Sequence, residues 1–197
     1  MKTLTVALLA LLPVLAAVPE PDKGKSYGKP EAPVMVEVFS AFTCPHCKMF
    51  HDQILPLLIR DFANTGKIYL VNRDFPLTGP GHAFGRAAHA YGNAAARIGK
   101  YPQVAAAMWA DQANWSVSGK IFESFAKILT PADQQKVQAL FKDPGVNGEV
   151  QREVDEGVAA GITSTPTLVV TKGIRRFPVP RADNYNLLKS LLDDMLK

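Results

Sequence analysis

Val34-Met35-Val36-Glu37-Val38-Phe39-Ser40-Ala41-Phe42-Thr43-Cys44-Pro45-His46-Cys47 is the stretch from which the rest of the chain can be read. Its first part, Val34 to Phe39, is mostly apolar and β-branched and has the length of a strand. Ser40 to Thr43 form a connection. From Cys44 to Phe62 the residues Phe50, Ile54, Leu57 and Leu58 fall at helical spacing. Cys44 and Cys47 therefore open a helix that directly follows a strand. Pro56 lies inside that helix, removes a backbone donor and predicts a kink about three turns after Cys44.

That placement suits thiol–disulfide exchange. The attacking species is a thiolate, and the free N–H groups and positive dipole end of a helix stabilise a negative sulfur. Two intervening residues bring the second sulfur close enough to resolve a mixed disulfide. Cys44, at the helix start and nearer solvent, is the expected nucleophile, and Cys47, one turn in, the resolving thiol. His46 can add a positive charge or a donor beside the thiolate. Stabilising the thiolate stabilises the reduced protein and makes its disulfide a stronger oxidant. A thiol pKa lowered from about 8.5 to about 5.5 is worth roughly 45 mV at pH 7. As a staple the pair is poor: a loop of about four residues gains about 2 kcal/mol in the chain-entropy picture, against about 4.7 for a hundred.

The remaining pattern is strand, helices, two strands, helix. Asn64-Thr65-Gly66 ends the first helix, and Lys67 to Asn72 reads as a second strand. From His82 to Ala160 the periodicity is helical only. It runs through Ala83 to Ile98, Gln103 to Trp109, and the face carrying Ile121, Phe122, Phe125, Ile128 and Leu129. Thr130-Pro131 reads as an N-cap with proline at the first helical position. Val146, Val150, Val154 and Val158 form a last stripe, stopped by Gly161. A strand at Thr167 to Thr171, a turn at Lys172-Gly173, a strand near Ile174 to Val179 and a helix with Leu187, Leu188, Leu191, Leu192 and Met195 complete the chain. A mixed α/β sheet with helices on its faces is the natural solution.

The 197 residues suffice for one domain with a sizeable core, or one domain carrying an insertion. The net charge of +4 is spread out rather than gathered into a patch, which argues against nucleic acid as a partner. At the N-terminus, Lys2 precedes an uncharged run from Leu4 to Val18, with small residues at Ala16 and Ala17. This is the layout of a signal peptide over residues 1–17, and it places the mature protein in the periplasm or outside the cell. A spanning helix needs about 20 apolar residues, so an uncleaved membrane anchor is the lesser alternative. An oxidising compartment is where a redox-active disulfide between Cys44 and Cys47 persists.

The chain resembles the DsbA-like family of thiol–disulfide oxidoreductases. The matching stretches are Pro30-Glu-Ala-Pro-Val, Phe39 to Cys47, Arg73-Asp-Phe-Pro-Leu, and Gly161 to Val170. The resemblance covers nearly all of the chain after the leader. It implies a thioredoxin-like fold interrupted by an all-helical insertion, with thioredoxin-like halves at 18–81 and 161–197 and the insertion at 82–160. It implies that Thr165-Pro166 forms a cis-proline loop facing Cys44, whose backbone pairs with an extended substrate peptide. It implies no cofactor, a monomer, folding proteins as clients, and a membrane or soluble redox partner that resets the disulfide.

One position departs from the family, which commonly carries a buried acid six residues before the nucleophile. Here that residue is Val38, and the adjacent Glu37 points to the opposite face by strand alternation. Glu37 reads as a solvated strand residue rather than a catalyst. His82 and His89 read as surface or satisfied core histidines. The competing functions are a disulfide isomerase or reductase of the same fold, and a metal-handling or client-binding module using Cys44, Cys47, His46 or His51. The metal reading lacks a second cysteine pair.

Overall fold

Five strands, Ser26–Tyr27 (β1), Val34–Ser40 (β2), Ile68–Asp74 (β3), Thr167–Lys172 (β4) and Arg175–Pro180 (β5), form one sheet of order β1-β3-β2-β4-β5. The computed structural model describes residues 24–180 and 182–197, so the expected leader at 1–17 lies outside the described residues. β2 pairs in parallel with β3 and antiparallel with β4, and both edge strands run antiparallel to their neighbours. Pro178 and Pro180 blunt the β5 edge. This mixed sheet, with helices packed on it, is the thioredoxin-like fold with a helical insertion that the sequence resemblance implied.

Alternation along β2 divides the molecule. Val34, Val36 and Val38 enter one apolar cluster with Phe50, Ile54, Leu58, Leu70, Leu168 and Val170. Phe39 joins Ile162 and Val169 in a separate small cluster. The helix after β2 begins as Pro45–Met49 (α1), widens into a π-helical turn at Phe50–Ile54, returns as Leu55–Leu58 (α2) and ends in a second π turn, Ile59–Ala63. The break demanded by Pro56 is taken up by the first π turn. That turn contains Asp52, whose carbonyl the proline ring would otherwise meet.

Between β3 and β4 lie Gly85–Arg97 (α3), Tyr101–Ala110 (α4), Gln112–Ser118 (α5), Ile121–Phe125 (α6), Pro131–Phe141 (α7) and Pro144–Ala159 (α8). Tyr185–Met195 (α9) closes the fold. Thr130 caps α7 as expected, its hydroxyl accepting from the Asp133 N–H at 3.1 Å. The valine stripe of α8 does not stay inside: Val146 and Val150 are buried, but Val158 is 63% exposed. Steps of four residues overrun the helical repeat by about 40° each. Glu153 and Gly157 take the buried positions instead. Leu187 of α9 is likewise exposed. Among the described residues no helix is long and apolar enough to cross a membrane.

Charges are buried at one end of β3. Lys25 Nζ lies 3.1 Å from Asp74 and 2.8 Å from Glu153. Asp74 also receives hydrogen bonds from Asn93 and His89. Burial opposes ionisation of Asp74, but Lys25 and His89 outweigh it and hold the carboxyl below its ordinary range. Removing the shared cation by Lys25→Met leaves two acids facing each other inside the protein. Urea unfolding at pH 7 should show a loss of about 3 kcal/mol or more, partly recovered by adding Glu153→Gln.

Candidate active site

Cys44 occupies the N-cap of α1, with extended backbone angles (φ −89°, ψ 122°) and Pro45 at the first helical position. Its thiol donates to the carbonyl oxygen of Thr165 at 3.5 Å, and the Thr165–Pro166 peptide bond is cis. The cis-proline loop therefore does face Cys44. Both cysteines are free thiols, and Cys47 Sγ accepts the Ala41 N–H at 3.4 Å. Cys44 is less open to solvent than its place at the helix start suggested: it is 5% exposed and Cys47 0%. Packing of the Thr165 backbone against the sulfur accounts for that cover.

The two thiols are driven apart in acidity. The hydrogen bond from the Cys47 thiol lowers the Cys44 pKa to about 5 against the opposing effect of burial. The backbone N–H groups of Cys47 and His46 and the Thr165 side chain assist. Burial, then the hydrogen bond and charge of Cys44, push the Cys47 thiol far up. The buried Thr165 hydroxyl has no hydrogen-bond partner among the described residues, so it is available to the thiolate. His46 enters this balance through its backbone N–H. Its side chain is exposed and lines a cleft of about 370 Å³ with Ser164, Thr165, Pro166, Ala182 and Asp183.

The model of the thioredoxin family matches residues 21–194. The chain belongs to the thioredoxin family. It is 22% identical over 179 residues to the probable disulfide bond formation protein D of Bacillus cereus, covering 88% of this chain and 79% of that protein. In three dimensions it is similar to oxidised BdbD from Bacillus subtilis, with TM-score 0.73, 22% identity, and coverage of 88% and 94% of the two chains. It is also similar to alpha-DsbA1 of Wolbachia pipientis, with TM-score 0.72, 18% identity, and coverage of 87% and 90% of the two chains.

In this thioredoxin-family chain Val38 is fully buried within the apolar cluster of Phe50, Ile54 and Leu58. Glu37 does point away from that face, but it is not solvated. It is 6% exposed and bonded to Arg73 at 3.0 Å and Arg176 at 2.9 Å. The sequence alternation set its direction correctly; α8, packed on β3, covers what would otherwise be a wet face.

The turn before Cys44 is held by residues that sequence patterns did not single out for it. The Phe42 ring lies between His89 (centroids 4.9 Å apart) and Trp109 (4.6 Å), and Trp109 stacks on His51. Burial pushes the His51 pKa down to about 3, so its imidazole stays neutral. His89 is a satisfied core histidine, bonded to Asp74 and to the Phe42 N–H. His82 Nδ1 pairs with the Thr43 hydroxyl at 2.8 Å. Gln112, from an α5 that the sequence reading missed, bonds the turn's carbonyls. Among the described residues no group of three His, Cys, Asp or Glu is arranged to hold a metal.

Iodoacetamide labelling of the reduced protein should titrate Cys44 with a midpoint near pH 5 while Cys47 remains a thiol. The folded-state pKa of Cys44 is depressed, so the stability it adds is complete above about pH 8.5 and is lost as pH falls toward 5. Urea midpoints of the reduced form should drop across that window, and those of the disulfide form should not. Separately, Glu37→Gln should cost about 1–3 kcal/mol of stability and leave the Cys44 midpoint in place. Val38→Glu should raise that midpoint.

Proposed function

We propose that the chain is an exported thiol–disulfide oxidoreductase that acts as a DsbA-like oxidase, donating the Cys44–Cys47 disulfide to folding proteins. A client thiolate attacks Cys44 Sγ and forms a mixed disulfide, while the Cys44–Cys47 bond breaks and Cys47 takes up a proton. A second client thiolate then attacks the client sulfur of the mixed disulfide and expels Cys44 as a thiolate. The client loses two electrons and two protons; the protein gains both electrons, one proton ends on Cys47 and the other goes to solvent, leaving Cys44 as a thiolate. A membrane or soluble redox partner removes the electrons again.

The observation that carries this reading is the acidity split at the helix start. In the last step the leaving group is Cys44, and a thiol with a pKa near 5 leaves readily. In the reductive direction the same low pKa makes Cys44 a weaker nucleophile, and the proton of Cys47 has no carboxylate at Val38 to receive it. Thr165 and Pro166 supply the backbone against which an extended client segment pairs. The cleft floored by Ser164, Thr165 and Pro166 and bordered by His46 receives the residues beside the client cysteine. Export to the periplasm or beyond is supported by the charge and apolar pattern of residues 1–17. The Bacillus relative's name, a disulfide bond formation protein, points the same way.

Equilibration with glutathione tests the direction. The Cys44–Cys47 couple should be more oxidising than glutathione. A more reducing couple would overturn the oxidase reading. With a client that already carries a disulfide, the Cys44 thiolate of Cys47→Ala should attack it, expel one client thiolate and stay trapped as the mixed disulfide, and Cys44→Ala should trap none. The reverse pattern sinks the role assignment.

A further inference from the structure

Gln112 is the first residue of α5 and only 7% exposed, in a neighbourhood of Trp109, Trp115 and alanines. Its carboxamide Nε2 donates to the carbonyl oxygen of Phe42 at 2.7 Å and to that of Cys44 at 3.1 Å. An amide nitrogen carries two protons in one plane. One side chain can therefore bracket residues 42–44. The other side of the turn is held less tightly, by the Phe42 N–H pointing at His89 Nε2 across 3.4 Å. Because that N–H can only donate, Nε2 is the unprotonated nitrogen and Nδ1 donates to Asp74 at 2.8 Å.

The Cys44 carbonyl is the group whose direction follows ψ of Cys44, 122°. That angle presents Cys44 Sγ to the N–H groups of His46 and Cys47 that favour the thiolate. Lys48 N–H bonds the same carbonyl at 3.1 Å as the first bond of the helix, so Gln112 completes its coordination from outside. We propose that Gln112 is a positioning residue that sets the redox potential of the Cys44–Cys47 pair by fixing the two carbonyls around the nucleophile. The proposal rests on the reading of that pair as the redox couple.

Potential measures a difference, which makes the role separable from ordinary packing. In the disulfide form the covalent bond itself holds Cys44 against Cys47. In the dithiol form the aim of the helix N–H groups at the sulfur depends on how the turn is held. Loss of the bracket therefore weakens the reduced form more than the oxidised one. A side chain that merely filled space would weaken both equally and leave the potential where it was.

The test uses the full mature chain with Gln112→Met, which keeps length and removes the donor, and Gln112→Ala, which leaves room for water. Three readouts are compared with the wild type: the exchange constant with glutathione, the thiolate absorbance of Cys44 against pH, and urea stability of both redox forms. The expected result for Gln112→Met is a couple about tenfold less oxidising, equivalent to about 30 mV. The Cys44 midpoint rises with it, and the reduced form loses more stability than the oxidised form. Gln112→Ala shows the same sign and serves if the methionine variant does not fold. An exchange constant within about twofold of wild type, with both forms equally destabilised, overturns the positioning role. A wild type that does not exchange with glutathione overturns the redox reading and this proposal together.

Discussion

The backbone from Ala41 to Cys44 leaves one hydrophobic core and enters another, and the rest of the site depends on how that passage is made. Upstream, Val34, Val36 and Val38 belong to the core beneath the sheet. Ala41, Phe42, Cys44 and Cys47 belong to the core of the helical insertion, with Ala88, Val104, Met108, Trp109 and Trp115. A turn placed between two cores has peptide groups that neither core can satisfy. Polar side chains must therefore be brought to it. His89, His82 and Gln112 all reach it from the segment between β3 and β4. The insertion is thus part of the support of the first helical turn, not a separate roof over it.

The same passage explains why two cysteines three residues apart differ so widely in acidity. Cys44 is the last residue with extended backbone and Cys47 is already inside the first turn. The unpaired N–H groups of a helix point back toward its N-cap, so their field acts on Cys44. Cys47 sits behind those groups, fully buried, where forming a charge costs desolvation with one backbone donor, Ala41, to offset it. Formation of the thiolate on one sulfur then disfavours it on the other, so the pair holds a single negative charge over a broad pH range.

Much of the fold was legible because strand and helix periods are local. β2 to β5, the N-cap at Thr130, the stop at Gly161 and the cis bond at Thr165–Pro166 all stand where residue patterns or family motifs put them. What was not legible depends on packing between distant segments. Glu37 reads as solvated until α8 is known to cover its face and Arg73 and Arg176 to meet it. α5 has a weak pattern, Gln-Ala-Asn-Trp-Ser-Val-Ser, anchored chiefly by Trp115. Val158 was misplaced by a stripe counted in fours, since such a stripe winds off the buried face of a long helix. The candidate cysteines and Thr165-Pro166 carry signals in the chain itself. The residues that hold them, Gln112 and His89, are defined only by what they touch.

The valine at position 38 gains its meaning from the charges elsewhere. An acid on that face would lie beneath the redox helix with its field directed at the sulfurs. In this chain the acids near the sheet are instead on other faces, each against a cation: Glu37 with Arg73 and Arg176, Asp74 and Glu153 with Lys25. Paired charges produce fields that fall off much faster with distance than lone ones. The sulfur of Cys44 is left under the influence of the nearest donors, namely the helix N–H groups, the Cys47 thiol and the Thr165 hydroxyl. All of these stabilise negative charge. On the oxidase reading proposed above, oxidising character in such a site needs no special cationic side chain: an apolar residue at position 38 and a turn held so that the helix start faces the sulfur are sufficient.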